Sequence, residues 1–216
     1  TRSMGGVGVG MRNAAAVNLL NPAAYSAVRP KSFLFDFGLE GQCFYNSQKY
    51  YGQTLNTSYY TINFHDIAFQ LPIARHLGLG FSLTPYSSVG YRMKQEVDDD
   101  EIWGNIGRVQ YQWDGDGDVT EVKLGLGWEI FRGFSIGVAA QYYWGDIQRI
   151  YKTAILENIT GGGLIADATG TETYSVSRFK GQFGVQWSPI SNRQRILTIG
   201  ATYDICLLYT SPSPRD

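Results

Sequence analysis

Residues 122–144 read VKLGLGWEIFRGFSIGVAAQYYW and contain two runs with a period of two. In each run most even positions are apolar, whereas the odd positions carry Gly, small or polar residues. Because successive side chains of a strand point to opposite faces, this period indicates two strands, each with one apolar and one polar face. Only residues 131–133 separate the two runs. The stretch therefore predicts two antiparallel strands joined by a tight turn.

The same alternation recurs along the chain after about residue 32. It predicts about seven strands, with apolar faces within residues 33–39, 67–73, 77–83, 122–130, 134–144, 179–187 and 197–203. Short connections at 74–76, 131–133 and 188–195 alternate with long polar links at 45–58, 92–119 and 150–172. An antiparallel up-and-down sheet with short turns on one side and long loops on the other is typical of outer-membrane barrels, whose short turns face the periplasm.

The apolar face could meet lipid or the core of a soluble protein, since the alternation is the same in both cases. Charged residues make up 17% of the chain, below the roughly 25% of soluble domains. The polar face is rich in Gly, and the strands reach the roughly 9–11 residues that cross a bilayer. Aromatic residues near strand ends form a candidate girdle of Trp128, Tyr142, Trp144, Trp187 and Tyr203. We therefore predict an all-β, antiparallel up-and-down transmembrane β-barrel in the bacterial outer membrane, with a soluble sandwich or lipocalin-like barrel as the alternative.

Several classes of function lack support in the sequence. The net charge of -1 provides no basic stripe for nucleic acid. Cys43 and Cys206 lie far apart, so neither a disulfide framework nor a zinc site is predicted. No apolar run approaches the ~18 residues of a membrane helix. The N-terminus lacks the features of a signal peptide, so if the protein is exported, we expect that its signal was removed or was not captured.

Residues 114–118, DGDGD, suggest a calcium loop but depart from EF-hand spacing, since Val119 and Gly125 stand where Gly and Glu are required. We expect a solvated acidic loop, with a loose cation site including Glu121 as the alternative. Residues 98–101, DDDE, are interpreted in the same way, or as bridges to lipopolysaccharide through divalent ions. We predict no bound metal and no cofactor.

The histidines are His65 and His76. His65 adjoins Asp66, but neighbouring strand residues point to opposite faces, so a catalytic dyad is not expected. No Ser stands in a nucleophile-elbow context. The chain is therefore predicted not to be an enzyme.

Residues 1–30 differ from the rest because they are rich in Gly and Ala. Asn13 is expected to cap a short Ala-rich helix, which Pro22 would end. Asn21, Pro22 and Ala23 are candidates for holding this segment against the inner wall of the barrel, and a plain helix stop is the alternative.

Residues 21–23, NPA, followed by residues 33–39, FLFDFGL, resemble the FadL-type outer-membrane transporters of hydrophobic compounds. Residues 77–86, LGLGFSLTPY, are similar to the third strand of that family, and residues 122–145 to the hairpins of its members from Bacteroidetes-like bacteria. The resemblance implies a barrel of fourteen strands, plugged by an N-terminal hatch and monomeric when full length. It also implies outer-membrane lipid and lipopolysaccharide as surroundings.

The function implied by this resemblance is passive uptake of long-chain fatty acids or other hydrophobic small molecules. The ligand would leave sideways through a kink in the third strand, with Pro85, Tyr86, Ser87 and Ser88 as candidate lateral-gate residues. A plain end of strand pairing at Pro85 is the alternative reading of that position. The alternative function is a secretion or surface-assembly role, like that of the FadL-type barrel in type IX secretion.

Three regions are predicted along the chain. Residues 1–30 form the hatch, residues 31–205 form part of the barrel, and residues 206–216 form a non-native tail that abandons the alternation. Because seven strands are half of fourteen, the chain is expected to be a C-terminally truncated fragment.

Overall fold

The structure is a computed structural model that describes residues 8–50, 53–97, 108–157, 168–191 and 196–206. A 3-10 helix, Pro22–Ala27, precedes seven strands. The strands are β1 Leu34–Tyr50, β2 Gln53–Ala74, β3 Leu77–Val97, β4 Arg108–Phe131, β5 Phe134–Glu157, β6 Ala168–Ser191 and β7 Ile196–Cys206. No helix among these residues is both long and apolar enough to cross a membrane.

The seven strands form one sheet in which neighbours along the chain are neighbours in the sheet, in the order β1 to β7. β1 pairs antiparallel with β2 from Leu34↔Gln70 to Tyr50↔Gln53, and β6 pairs antiparallel with β7 from Lys180↔Cys206 to Ser191↔Ile196. The predicted all-β, antiparallel up-and-down arrangement of about seven strands is therefore confirmed.

The strands are longer than the apolar alternation predicted. Large parts of the three links that were expected to be loops, residues 45–58, 92–119 and 150–172, belong to strands. β1 ends at residue 50 and β2 begins at 53, β3 ends at 97 and β4 begins at 108, and β5 ends at 157 and β6 begins at 168. The prediction was wrong there because a period-two apolar pattern marks only the part of a strand with an apolar face. A backbone ladder can continue where both faces are polar and meet water.

The chain divides into two compact units. Unit 1 comprises the described residues within 1–85, 121–142 and 179–216, and unit 2 comprises those within 86–120 and 143–178. In unit 1 one face of the sheet is buried and consists of Gly, small and polar residues: Asp66, Ala68, Gln70, Gly78, Gly80, Ser82, Lys123, Gly125, Gly127, Ser135, Gly137, Ala139, Gln141, Gln182, Gly184 and Gln186.

The opposite face of unit 1 exposes large apolar side chains, among them Phe35, Phe37, Leu39, Leu124, Leu126, Trp128, Ile130, Val138, Phe183, Val185, Trp187, Leu197 and Ile199. A soluble sandwich has the reverse arrangement, with its apolar face buried and its polar face in water. An exposed apolar face opposite a buried polar one is typical of a sheet in a membrane. This arrangement excludes the soluble alternative.

Unit 2 contains residues 114–118, which lie within β4 and not in the predicted acidic loop. Arg92 Nε donates to Asp114 Oδ1 at 3.1 Å, and Gln112 Nε2 donates to Asp114 Oδ2 at 2.6 Å. These donors occupy the carboxylate, and the described part of the chain contains no group of three or more His, Cys, Asp or Glu side chains placed to hold a metal. Residues 98–101 lie outside the described residues.

A bulge at the Gly38/Leu39 step of the β1–β2 register corrects the prediction for His65. Gly38 pairs with Asp66 and Leu39 with Phe64, so His65 is the extra residue of β2. Because a bulge interrupts strict alternation, His65 Nδ1 lies 2.6 Å from Asp66 Oδ1 instead of pointing away from it.

The N-terminal segment also differs from its prediction. Asn13 Oδ1 accepts a hydrogen bond from Ala15 N at 3.0 Å, but residues 14–16 form a turn and not a helix. The helix begins at Pro22, with Asn21 as its N-cap. The prediction that Pro22 ends a helix was wrong because Pro is favoured in the first turn, where its missing N–H has no helical partner.

Candidate functional site

The N-terminal segment, residues 8–29, packs on the polar face of unit 1. The 3-10 helix is its most buried part, since Pro22, Ala23, Ala24, Tyr25 and Ser26 are all buried. We treat this contact between the segment and the polar face as the candidate functional site, because it is where buried polar side chains of the strands find their partners.

Tyr25 is the largest fully buried side chain of the described residues. Its ring lies where side chains would otherwise stand on β3 and β4: a Cβ added at Gly80 or Gly125 would come within 2.5 Å and 2.8 Å of ring atoms. A Cβ at Gly78 would meet the Tyr25 carbonyl oxygen. Glycine is needed at these positions because the segment approaches the strands so closely. Burial raises the pKa of the Tyr25 hydroxyl above its ordinary value, and the charge of Glu121 adds to this shift.

Asn21 joins the segment to β6. Its Nδ2 donates to Val185 O at 3.1 Å and to Val9 O at 2.9 Å, while its Oδ1 accepts from Ala23 N at 3.0 Å and caps the helix. The sequence-predicted residues Asn21, Pro22 and Ala23 are thus brought together and buried against the sheet. Their role in holding a hatch stays a proposal.

Two glutamines of the sheet donate to backbone oxygens of the segment. Gln70 Nε2 on β2 donates to Tyr25 O at 2.8 Å, and Gln186 Nε2 on β6 donates to Val9 O at 2.9 Å. Since the segment has little regular structure, its carbonyl groups need such side-chain donors when they are buried.

Lys123 on β4 is buried, and its Nζ donates to Leu19 O at 2.7 Å and to Gln182 Oε1 on β6. A buried ammonium group is costly unless its protons find acceptors. Both acceptors are present here, so Lys123 links the segment to two strands of the sheet.

Arg12 connects the segment to the turns of the sheet. Its Nη1 donates to Ser135 Oγ at 2.7 Å and to Ser26 Oγ at 3.0 Å, and its Nη2 lies 3.6 Å from Glu129 Oε2. The same oxygen of Glu129 lies 3.3 Å from His76 Nδ1. Burial lowers the pKa of Arg12 from its ordinary value, and the charge of Glu129 opposes that shift.

Sequence reasoning missed Tyr25, Arg12 and Glu129 as residues of this site, because their partners lie far away along the chain. A signal was available for Lys123 and Gln186, which stand at polar-face positions of otherwise apolar strands. Polar side chains on a buried face need partners.

The predicted lateral-gate residues lie in β3. The β2–β3 ladder runs from Ala74↔Leu77 to Ile67↔Leu83, and Pro85 stands two residues beyond its last pair. The Tyr86 ring packs edge-on against Tyr143, with ring centroids 4.8 Å apart, and Ser87 and Ser88 are exposed. Pro85 therefore stands where the pairing of β3 with β2 has already ended.

The predicted girdle residues face outward to different extents. Trp128 and Trp187 of unit 1 are 52% and 50% exposed, and Tyr203 is also exposed. Tyr142 is half-buried, with its ring centroid 4.5 Å from that of Phe179, whereas Trp144 of unit 2 is exposed. Their placement at a membrane interface stays a prediction.

Comparisons with known proteins identify a matching protein family and a similar solved structure. The family model described as BamG matches residues 1–214. Among solved structures, the crystal structure of Ail, the attachment invasion locus protein of Yersinia pestis, matches with 12% identity and a TM-score of 0.29. That match covers 80% of this chain and 84% of that chain, but at this TM-score it adds nothing to the fold described above. The curated proteins gave no match.

The match to the BamG model overturns the FadL resemblance. The residues that carried the resemblance were a three-residue segment and alternating hairpins, which barrels of different families share. Passive uptake of hydrophobic compounds, lateral exit through β3 and the alternative role in type IX secretion rested on that resemblance, and they are wrong for this chain. The prediction of a barrel of fourteen strands rested on the same resemblance and is no longer supported. The predicted location in the bacterial outer membrane is confirmed. With residues 1–214 matched, this chain belongs to the BamG family.

Proposed function

We propose that this protein is a membrane-embedded accessory component of the Bam machinery, which assembles β-barrels in the bacterial outer membrane. Membership of the BamG family supports the proposal. The role is that of a subunit that supports assembly, without a catalytic step of its own.

One structural observation carries the proposal beyond the family name. The polar face of unit 1 is occupied by the N-terminal segment, which is held by Asn21, Gln70, Lys123 and Gln186 through hydrogen bonds of 2.7–3.1 Å. A passage for solutes along this face would require all these bonds to break together. Each buried polar group left without a partner costs about 1–3 kcal/mol. The segment is therefore better suited to a fixed structural role than to a gate.

The exposed apolar face of unit 1 also supports the proposal. Side chains such as Phe37, Leu126 and Trp187 are about half exposed on this face, so they can meet either lipid or another membrane protein. Aromatic side chains are enriched in protein–protein interfaces. A subunit that contacts other membrane proteins needs a surface of this kind.

Co-purification tests the proposal. The full-length protein carries an affinity tag at its chromosomal locus and is extracted in a mild detergent, and its partners are identified by mass spectrometry. We expect the barrel-assembling subunit of the Bam machinery to co-elute. A second outer-membrane barrel of similar abundance, tagged in the same way, is the control for non-specific recovery.

Depletion of the protein provides an independent measurement. We expect other outer-membrane barrels to decrease in isolated membranes, while inner-membrane proteins stay constant. Recovery of the protein without any Bam subunit, together with unchanged barrel levels after depletion, contradicts the proposal.

A further inference from the structure

A cavity of about 870 Å³ lies in unit 1 at the end of the sheet that carries the short turns. It is lined by the N-terminal segment, the β2–β3 turn, the β4–β5 turn, and residues of β6 and β7. Cavities of roughly 300–1,000 Å³ are the size of ordinary ligand sites. The cavity is thus large enough for a few residues of a polypeptide.

The charges around this cavity are strongly unbalanced. Among the described residues that line it are four arginines, Arg12, Arg29, Arg75 and Arg132, and one carboxylate, Glu129. This imbalance contrasts with the whole chain, which has a net charge of -1.

The one carboxylate is already engaged. Glu129 Oε2 lies 3.6 Å from Arg12 Nη2 and 3.3 Å from His76 Nδ1, and Glu129 Oε1 accepts from Gly133 N at 3.1 Å. Arg29, Arg75 and Arg132 are exposed, and no carboxylate of the described ranges forms an ion pair with them. Three guanidinium groups at the rim of the cavity are therefore available to an anionic partner.

The turns that carry these arginines are held in place. His76 has a left-handed backbone, with φ of 73°, and its carbonyl oxygen accepts from Glu129 N at 2.9 Å. A non-glycine residue in this region is strained and persists only when its surroundings fix it. Ser188 N donates to Gly133 O at 2.7 Å and fixes the second turn. A rigid site loses less conformational entropy on binding.

The position of the cavity indicates the type of partner. Ser26 and Glu129, which line it, belong to the polar side of the sheet, opposite the exposed apolar face. Lipid headgroups lie beside the apolar face, whereas short turns of outer-membrane sheets face the periplasm. Guanidinium groups bind carboxylates in a bidentate manner. We propose that this cavity binds an acidic segment, rich in Asp and Glu, of a periplasmic protein. The inference does not rest on association with the Bam machinery.

Fluorescence anisotropy with the purified full-length protein in detergent micelles tests the proposal. The probe is a fluorescein-labelled peptide of alternating Glu and Ser, and a peptide of alternating Lys and Ser is the control ligand. The double variant Arg75→Gln, Arg132→Gln removes two exposed turn charges. The matched control, Lys94→Gln, Lys152→Gln, removes the same charge from exposed strand positions of unit 2.

We expect the acidic peptide to bind, the Lys peptide not to bind, and the arginine double variant to weaken binding by about tenfold or more. The lysine control is expected to retain the affinity of the unaltered protein. If both double variants bind the acidic peptide equally weakly, the net charge of the protein alone explains the binding, and the proposal is overturned.

Inorganic phosphate and vesicles containing an anionic phospholipid distinguish other anion sources. Each competitor is added at a phosphate-group concentration equal to the dissociation constant of the peptide. If inorganic phosphate or the vesicles displace the peptide under these conditions, the cavity is a site for phosphate groups and the proposal is overturned. Absence of acidic-peptide binding overturns it as well. Because both arginines are exposed in turns, both double variants are expected to fold, and the thermal unfolding temperature checks this.

Discussion

The ring of Tyr25 occupies the space that a side chain at Gly80 would need, since a Cβ added there would lie 2.5 Å from the Tyr25 Cζ atom. The same ring would be 2.8 Å from a Cβ at Gly125 on the next strand. Two glycines of the polar face and one aromatic ring of the N-terminal segment therefore form a single packing unit. The fit of the segment against the sheet depends on the absence of these two side chains.

The substitution Gly80→Val is expected to lower the free energy of unfolding by about 1–3 kcal/mol, because the new side chain must displace the Tyr25 ring from a packed site. Thermal unfolding in detergent micelles, followed by the shift of the unfolded form on a gel, measures the effect. Gly90→Val on the same strand is the control, since a Cβ there meets nothing within 4 Å. Equal unfolding temperatures for the two variants contradict the packing described for Tyr25.

The substitution Lys123→Met is expected to destabilise the protein by about 1–3 kcal/mol, since it leaves the Leu19 carbonyl and the Gln182 amide oxygen buried without their donor. Urea unfolding of the protein in lipid vesicles, followed by tryptophan fluorescence, measures the change. Lys94→Met at an exposed position of β3 is expected to change stability by less than about 0.5 kcal/mol. An equally small effect at position 123 would show that the buried contacts of Lys123 contribute nothing.

Alkaline pH is expected to weaken the packing of the N-terminal segment through Tyr25. Burial raises the pKa of this hydroxyl in the folded protein, so its contribution to stability is complete below the ordinary tyrosine pKa of about 10 and is lost as pH rises beyond it. In that range the unfolded chain releases the proton while the folded chain retains it.

Tyr25→Phe isolates this effect, because it keeps the ring and removes the titrating group. The difference in unfolding temperature between the unaltered protein and the variant is expected to be constant below about pH 9 and to shift in favour of the variant above about pH 10. Parallel pH profiles would exclude Tyr25 as the cause of any alkaline loss of stability.

Trp128 and Trp187 are expected to lie next to lipid, because each is about half exposed on the apolar face of unit 1. Vesicles made with brominated phospholipids should quench the fluorescence of the protein, and the double variant Trp128→Phe, Trp187→Phe should show clearly less quenching than the unaltered protein. Trp113→Phe is the control, since this indole stacks on Tyr111 with ring centroids 6.1 Å apart. Quenching that survives in the double variant and disappears in the control refutes the assignment of the two residues to the membrane.

The strands could be predicted from the sequence because a period of two follows directly from backbone geometry. Leu124, Leu126 and Trp128 define one face of β4, whether that face meets lipid or a protein core. The position of this strand was therefore predicted correctly. The outer limits were missed because residues such as Lys94 and Asp116 continue the backbone ladder without an apolar face. The bulge at His65 was also missed, since no local pattern in the sequence announces an extra residue.

The candidate site could be predicted only in part. Asn21 and Pro22 form a local signal, and both are buried against the sheet, although Pro22 begins a helix instead of ending one. The partners of Arg12 could not be inferred, because Ser135 lies 123 residues further along the chain and any polar residue of the face was an equal candidate. Short motifs shared by many barrels led to the wrong family for the same reason: local patterns report strand geometry and not ancestry.

The hydrogen bonds between the N-terminal segment and β6 join residues that lie far apart along the chain, and this separation favours one order of folding. Asn21 reaches Val185 across 164 residues, and Gln186 reaches Val9 across 177 residues. Contacts of such high sequence separation form late, because closing long loops costs entropy before the contacts are made. We therefore expect the N-terminal segment to complete its contacts with the sheet only after β6 has joined the sheet, so docking of the segment is expected to be a late step of folding.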